Sequence, residues 1–320
     1  MKKLLAVLTA LTLLLSLSAA ALAADYTVGI CQQMPHAALD SATQGFMDAM
    51  NEALGEGAVE FLVQNAQGDS TACTSIVNDF VTKKVDLILG NATTALQAAA
   101  NGTFTIPVLG TSVTEYGTAL GIKDFSGLVG GNVSGTSDLA PLDEQANMIV
   151  ELWPQAKTVA MLYCSGEPNS AYQVKKVAEY LTEKGVACVD YPFADSNDIA
   201  TVAKAAAAAA DVIYIPTDNT AAACAEAING AVLPTGTPIM GGDEGICGGC
   251  GIATLCINYY DLGVTTGKMA AKILAGEIKI EETPIAYAEK FSKVYNPDNC
   301  AELGVDVAAL EAAGYTAIVK

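Results

Sequence analysis

The segment VIYIPTDNTAAA at residues 212–223 contains the pattern from which the fold is predicted most directly. Its first four residues, Val212–Ile215, are apolar and mostly β-branched, which is typical of a strand buried on both faces of a parallel sheet. Pro216 ends the strand, and Asp218 or Asn219 can cap a helix that continues through the alanines. In an open parallel sheet, ligands bind beyond the carboxyl ends of the strands, where these polar residues lie.

The same unit of a short strand and a following helix recurs on both sides of this segment. Strands are predicted at 26–31, 59–63, 85–90 and 106–110, and again at 158–163, 186–190, 238–241 and 252–256. A glycine-rich stretch at 127–135 separates the two series, and we interpret residues 128–133 as a strand that leads into a crossover. We therefore predict an α/β fold with two doubly wound parallel-sheet lobes, a hinge near 133–140 and an interlobe cleft for a ligand.

Nearly every predicted strand is followed by hydroxyl, amide or carboxylate side chains. One such turn is most often only a helix cap, whereas a ring of them converging from two sheets indicates a small-molecule cleft. The candidate ligand-binding residues are Gln32, His36, Thr93, Thr94, Ser112, Thr114, Glu167, Asn169, Ser170, Asp218, Asn219, Asp243 and Tyr259.

The charges at these turns indicate the class of ligand. The first half offers the hydroxyls of Thr93, Thr94 and Ser112 near helix N-termini, which favour a carboxylate. The second half offers Asp218 and Asp243, which suit an ammonium group. No lysine or arginine occurs at these turns, so a free amino acid fits better than a phosphate or sulfate.

Catalysis has weaker support in the sequence. His36 is the only histidine and has no nucleophile motif nearby, so it can form a hydrogen bond near the hinge, line the cleft or act as a base. Asp218 and Asp243 could serve as the acid–base pair of a secreted hydrolase, which remains an alternative. The glycine pairs lack nucleotide-binding spacing. We expect no enzymatic activity, no cofactor and no metal.

The first 23 residues have the features of a secretory signal peptide, with two lysines, an apolar run and an Ala-x-Ala site. We therefore expect an exported protein, periplasmic or extracellular. No cysteine directly follows the apolar run, so no lipobox is present. The formal net charge of −19 argues against nucleic acid or an anionic membrane surface as a partner.

The chain contains nine cysteines, which in an exported protein suggests disulfides. Several lie in apolar strands, where a thiol packs as a small hydrophobic group. Cys247 and Cys250 are the only close pair in sequence, and they could form a loop disulfide, half of a metal site, or neither.

Several motifs together resemble one family. They are HAALD at 36–40, QNAQGD at 64–69, GNVSGTSD at 131–138, PTDNT at 216–220, DEG at 243–245 and GKMAAKIL at 267–274. These resemble the substrate-binding proteins of ABC importers, in the subgroup for aromatic amino acids, although HAALD replaces the HPALD of the family. The resemblance implies a type I periplasmic-binding fold with three crossovers. It implies an N-terminal lobe of residues 24–136 plus about 259–284, and a C-terminal lobe of 137–258 plus about 285–320.

The resemblance also implies a function. The protein is expected to be a monomer that captures an amino acid, phenylalanine, tryptophan or tyrosine, and delivers it to an ABC permease in the membrane. Another small polar solute, a sugar or a nucleoside, remains the alternative within this class.

Overall fold

A computed structural model describes residues 24–318 of the chain. The predicted signal peptide at 1–23 lies outside the described residues. No helix within residues 24–318 is long and apolar enough to cross a membrane.

Strands and helices alternate along most of the chain, as predicted. In chain order they are β1 Tyr26–Gln32, α1 Ala37–Leu54, β2 Val59–Asn65, α2 Ser70–Lys83, β3 Leu87–Asn91, α3 Thr93–Gly102, β4 Val108–Val113, α4 Tyr116–Leu120, β5 Val133–Ser137, α5 Leu142–Leu152, β6 Thr158–Cys164, α6 Pro168–Glu183, β7 Ala187–Phe193, α7 Ile199–Ala209, β8 Val212–Ile215, α8 Asn219–Ala223, α9 Ala225–Val232, β9 Ile239–Gly241, α10 Glu244–Gly249, β10 Ala253–Cys256, α11 Tyr259–Leu274, β11 Ala286–Tyr287, β12 Ser292–Tyr295, α12 Pro297–Leu303, α13 Val307–Ala312 and β13 Thr316–Ala317.

These strands form two sheets. The first has the order β11-β5-β4-β3-β1-β2, and all its neighbours are parallel. The second has the order β13-β12-β10-β9-β8-β6-β7, and only β12 runs antiparallel to its neighbour β10. The opening segment is therefore a central strand, and Val212–Ile215 is fully buried as its composition predicts. The predicted α/β fold with two parallel-sheet lobes is confirmed.

The chain passes between the sheets three times, after β5, after β10 and after β11. The last passage follows Tyr287, slightly later than the expected boundary near 284, because Ala286 and Tyr287 still pair with β5 of the first sheet. The first passage places Asp138 directly beside the connection between the lobes.

The strand predicted at 128–133 begins later than expected. Residues Val133–Ser137 form β5, whereas Gly127, Gly130 and Gly131 adopt φ values of 96°, 78° and 59°. Glycine tolerates this left-handed region, so the segment turns instead of extending. The correction matters because it moves the carboxyl end of the strand from Val133 to Ser137.

Helix α11 returns to the first lobe and packs on α1. The two backbones come so close that a Cβ atom at Gly263 would collide with the Ala42 carbonyl oxygen, and one at Gly267 with the Phe46 carbonyl oxygen. Glycine is needed at both contacts. This packing fixes the start of α11, at Tyr259, beside the start of α1.

All nine cysteines are unpaired, and all lie within the described residues. Cys247 and Cys250 are buried and form no disulfide, and the Cys250 thiol donates to the Ile246 carbonyl oxygen at 3.3 Å. Residues 24–318 contain no cluster of three or more His, Cys, Asp or Glu side chains that could hold a metal ion.

Candidate ligand-binding site

A small cavity lies between the two lobes at the carboxyl ends of their strands. Its volume is about 10 Å³, room for about one water molecule. Both sheets contribute to its lining, which consists of His36, Leu39, Ser112, Thr114, Asp138, Asn169, Thr217, Asp218, Asn219, Asp243 and Tyr259. The convergence of polar strand ends predicted from the sequence is therefore present.

Asp218 is held by the backbone of the second lobe. It is the N-cap of α8, where Oδ1 accepts the Ala221 N–H at 2.8 Å. Its Oδ2 accepts the Cys164 N–H at 2.7 Å, at the end of the neighbouring strand β6. The cap predicted from the opening segment thus places a carboxylate against the cavity, with both oxygens engaged.

Asp243 has the same relation to the next strand and helix. It follows β9 and caps α10, where Oδ1 accepts the Ile246 N–H at 2.8 Å. The side chain is only 3% exposed. Two strand-to-helix turns of the second lobe therefore each present one buried carboxylate.

Glu167 lies behind the cavity wall and organises it. Its carboxylate accepts the backbone N–H groups of Asn219 and Thr220 at 3.1 and 2.9 Å, at the start of α8. It also accepts the Asn219 amide nitrogen at 2.7 Å and the Thr220 hydroxyl at 2.8 Å. Glu167 therefore fixes the orientation of Asn219 instead of lining the cavity.

The first lobe presents hydroxyl groups. Ser112 lies in a β-bulge, since β4 pairs with β5 at Gly110–Gly135 and at Val113–Ser137 with one extra residue between. Its backbone has φ of 55°, a left-handed conformation that is uncommon for serine. Its buried Oγ has no hydrogen-bond partner among the described residues. The bulge thus turns an unsatisfied hydroxyl towards the cavity.

Asp138 and Tyr259 form a pair at the hinge. Asp138 follows β5 on the first passage between lobes, and Tyr259 begins α11 after the second. The Tyr259 hydroxyl donates to Asp138 Oδ2 at 2.9 Å. Asp138 Oδ1 is buried and accepts no hydrogen bond of normal geometry from the described residues, although the nearby Thr114 hydroxyl favours the charged carboxylate. An unsatisfied buried carboxylate oxygen is costly, which points to a role in binding.

Burial disfavours the charged form of all three cavity carboxylates. It raises the pKa of Asp138 to about 6. Burial, with a contribution from nearby Glu167, raises the pKa of Asp218 to about 8. Burial, with contributions from Asp138 and Glu244, raises the pKa of Asp243 to about 7. Among the described lining residues there is no lysine or arginine to compensate these charges.

Two side-chain hydrogen bonds connect the lobes beside the cavity. His36 Nε2 lies 3.2 Å from Asn219 Oδ1. Because Glu167 holds the Asn219 amide nitrogen, the Asn219 oxygen faces His36, and the His36 Nε2–H is the donor. The Gln173 amide of α6 donates to the Thr114 hydroxyl at 3.4 Å. Burial lowers the pKa of His36.

Eight of the predicted site residues line the cavity, namely His36, Ser112, Thr114, Asn169, Asp218, Asn219, Asp243 and Tyr259. The structure does not bring the other five, Gln32, Thr93, Thr94, Glu167 and Ser170, into the lining. Glu167 and Ser170 act behind the wall, where both contact residues that face the cavity.

Thr93 and Thr94 were expected to bind a carboxylate at the start of α3. Instead, the Thr94 N–H donates to Gln33 Oε1 at 3.0 Å, so a neighbouring side chain already occupies this helix end. Gln32 is saturated within the first lobe, since its amide nitrogen donates to Asp40 and its oxygen accepts from Thr43.

Three lining residues were missed in the sequence, namely Leu39, Asp138 and Thr217. Asp138 follows the same strand-end rule as the others, but the strand before it was placed too early. Thr217 was part of the opening turn, and only its neighbours were chosen. Leu39 lies on the buried face of α1, which strand-end reasoning does not examine.

The arrangement can recognise a small molecule with a positive group and a group that accepts hydrogen bonds. The second lobe and the hinge supply carboxylates, and the first lobe supplies hydroxyls. The side chain of Leu39 and the ring of Tyr259 are the apolar surfaces of the lining.

Residues 27–312 match the family model described as ABC transporter substrate binding protein. The tyrosine-binding protein of Clostridioides difficile (strain R20291) is 30% identical over 278 residues, which cover 86% of this chain and 80% of that relative.

Two solved structures differ in how well they superpose. An ABC domain in complex with L-Trp from Streptococcus pneumonia has a TM-score of 0.86 at 29% identity, covering 92% of this chain and 99% of that chain. The ligand-free, open structure of a substrate-binding protein with adhesive properties from Clostridium difficile has a TM-score of 0.69 at 31% identity. The match covers 92% of this chain and 100% of that chain. The better match to the ligand-bound relative agrees with the hydrogen bonds between the lobes and indicates that the lobes are closed.

The resemblance inferred from the sequence motifs is thus confirmed over nearly the whole of the described chain. The match spans both sheets and all three passages between them. The chain belongs to the substrate-binding proteins of ABC transporters.

Proposed function

We propose that the protein captures a free amino acid between its lobes, and that an aromatic one is bound best. The observation that carries this proposal is the composition of the cavity. Three buried carboxylates face it with no lysine or arginine among the described lining residues, and the unpartnered Ser112 hydroxyl lies in the first-lobe wall. An amino acid supplies the missing positive charge through its ammonium group and accepts hydrogen bonds through its carboxylate.

The aromatic class is supported by the relatives and by the apolar part of the lining. One relative is named for tyrosine binding, and a structural neighbour holds L-Trp, both at about 30% identity. In this chain Leu39 and Tyr259 offer surfaces against which an aromatic side chain can pack. Tyrosine, tryptophan and phenylalanine are therefore the proposed ligands.

Binding requires the lobes to move. A cavity of about 10 Å³ is much smaller than any amino acid, so the lobes separate to admit one and the closed cavity widens around it. The ligand then favours the closed form because it contacts both walls only in that form. The hydrogen bonds from His36 to Asn219 and from Gln173 to Thr114 form at the same step.

Substrate-binding proteins of ABC importers act outside the cytoplasm and deliver their ligand to a membrane permease. We propose the same location for this chain, with release of the amino acid unchanged. We further propose that the protein acts as a monomer, without turnover and without nucleic acid.

A thermal-shift screen tests the proposal directly. The mature protein is heated with each of the twenty amino acids and with representative sugars and nucleosides, and each shift is verified by calorimetry. Ligand binding raises Tm by mass action, so L-tyrosine, L-tryptophan or L-phenylalanine should give the largest increases. A shift with a sugar or nucleoside alone, or none with any amino acid, would contradict the proposed ligand.

Turnover is tested separately. Long incubation with the bound amino acid, followed by mass spectrometry, should return the amino acid unchanged. A new product would instead support the hydrolase alternative based on Asp218 and Asp243.

A further inference from the structure

The three cavity carboxylates differ in the groups that their oxygens contact, since Asp218 and Asp243 cap helices and Asp138 does not. Asp218 is fully engaged, since one oxygen accepts the Ala221 N–H and the other accepts the Cys164 N–H. Asp243 is the N-cap of α10, where Oδ1 accepts the Ile246 N–H at 2.8 Å and the Gly245 N–H also favours the carboxylate. Both therefore hold strand-to-helix turns together whether or not a ligand is bound.

Asp138 is different. Its Oδ2 accepts the Tyr259 hydroxyl at 2.9 Å, and the nearby Thr114 hydroxyl favours the charged carboxylate. Its Oδ1 is buried and accepts no hydrogen bond of normal geometry from the described residues. A buried carboxylate oxygen without a full hydrogen bond is destabilising, because it has lost its hydrogen bonds to water. A ligand N–H in the cavity would remove this cost.

We propose that Asp138, and neither Asp218 nor Asp243, is the residue that selects the ligand by its amino group. The inference rests on the proposed function, since it assigns the ammonium of the proposed amino acid to one carboxylate. Asp218 and Asp243 then act as structural caps at the starts of α8 and α10.

Tyr259 is a positioning residue for Asp138. Its hydroxyl engages Oδ2, so Oδ1 is the oxygen left for the ligand. The two residues lie on different connections between the lobes, since Asp138 follows β5 and Tyr259 follows β10. A ligand amine bound to Asp138 is therefore linked to two of the three connections, which couples recognition of the amine to closure.

The experiment separates the amine from the rest of the ligand. Calorimetry measures the affinity for L-tyrosine and for 3-(4-hydroxyphenyl)propionate, which lacks only the amino group. The wild-type protein should prefer L-tyrosine by at least 100-fold. The variant Asp138→Asn should lose about 100-fold in affinity for L-tyrosine and little in affinity for the analogue. Its preference for the compound with the amine should therefore nearly disappear.

Two further variants provide the controls. Asp243→Asn, which removes a cavity charge of the same sign, should reduce L-tyrosine affinity by much less than Asp138→Asn. Tyr259→Phe should lower the affinity for L-tyrosine about tenfold, with little effect on the affinity for the analogue. This variant keeps the test decisive if Asp138→Asn does not fold.

The possible failures are distinguishable. The assignment to Asp138 is wrong if Asp138→Asn keeps wild-type affinity for L-tyrosine or loses affinity equally for both compounds. It is also wrong if Asp243→Asn lowers the affinity for L-tyrosine more than Asp138→Asn does. The same holds if Tyr259→Phe affects both compounds equally. If the wild-type protein binds no amino acid at all, the proposed function fails first.

Discussion

The two lobes build their walls of the cavity in different ways. In the second lobe, Asp218 and Asp243 are N-caps, fixed by backbone N–H groups one turn away. In the first lobe, Ser112 is held by a bulge and a left-handed backbone, and its hydroxyl has no partner among the described residues. The second wall is therefore stabilised by the protein itself, whereas the Ser112 hydroxyl of the first wall can gain a hydrogen bond only from a ligand. Changes in the two walls should have different consequences.

The largest expected effect is on the pH dependence of stability. The pKa values of Asp138, Asp243 and Asp218 are raised to about 6, 7 and 8, so the closed protein binds protons that the unfolded chain releases above about pH 4. Stability should therefore fall as pH rises from 5 to 8, with Tm lower by about 5 °C at pH 8. Scanning calorimetry without ligand measures this.

Saturating L-tyrosine should flatten that profile, because the ammonium stabilises the charged carboxylates. His36 acts in the opposite direction, since burial lowers its pKa and the unfolded chain takes up its proton as pH falls below about 6.5. The variant His36→Gln should therefore steepen the fall in Tm. A Tm that rises from pH 5 to 8 would contradict the charge assignment of the cavity.

The next prediction concerns Asp218, a carboxylate that stabilises the fold of the second lobe. Asp218→Ala leaves the Ala221 and Cys164 N–H groups without acceptors, so the free energy of unfolding should fall by about 2 kcal/mol. Urea denaturation measures the change. Asp218→Asn keeps one acceptor oxygen, so its free energy of unfolding should fall less. If Asp218→Ala were as stable as wild type, the caps would not support the second wall.

Ser112→Ala should show the reverse pattern. Its hydroxyl has no partner to lose among the described residues, so the stability of the protein without ligand should be unchanged. Affinity for L-tyrosine should fall about tenfold, or about 1.4 kcal/mol. Calorimetry and urea denaturation together test this. An unchanged affinity would remove Ser112 from the ligand contacts.

The smallest expected effect concerns the hydrogen bond that links the lobes. His36→Ala removes the contact with Asn219, which exists only when the lobes are closed. Dissociation of L-tyrosine should become about two- to tenfold faster while association changes little. Stopped-flow kinetics measure both rates, and His36→Gln, which keeps a donor, should recover part of the loss. Slower association with unchanged dissociation would place the contact in the open form.

The difference between the walls also explains what could be predicted from sequence. Asp218 and Asp243 follow apolar strands and start helices, so a local pattern locates them and assigns their side chains. The two sheets follow from the same alternation. Local patterns fail where the partner is distant in sequence. At α3, the side chain of Gln33, just after β1, accepts the Thr94 N–H.

The missed and misplaced residues have the same physical origin. The bulge at Ser112 depends on the pairing of β4 with β5, which no local motif encodes. The strand-end pattern does not identify Asp138, because three glycines with positive φ delay β5 beyond its predicted position. Glu167 was expected to face the ligand, but its bonds to Asn219 and Thr220 turn it to the start of α8.

A crystal structure of the protein grown with L-tyrosine would most directly test whether the ligand ammonium binds Asp138 and the ligand carboxylate binds Ser112. We expect the tyrosine ammonium within hydrogen-bond distance of Asp138 Oδ1 and the tyrosine carboxylate on the Ser112 hydroxyl, with the lobes closed around both. A tyrosine bound in the reverse orientation, or outside the interlobe cavity, would contradict it.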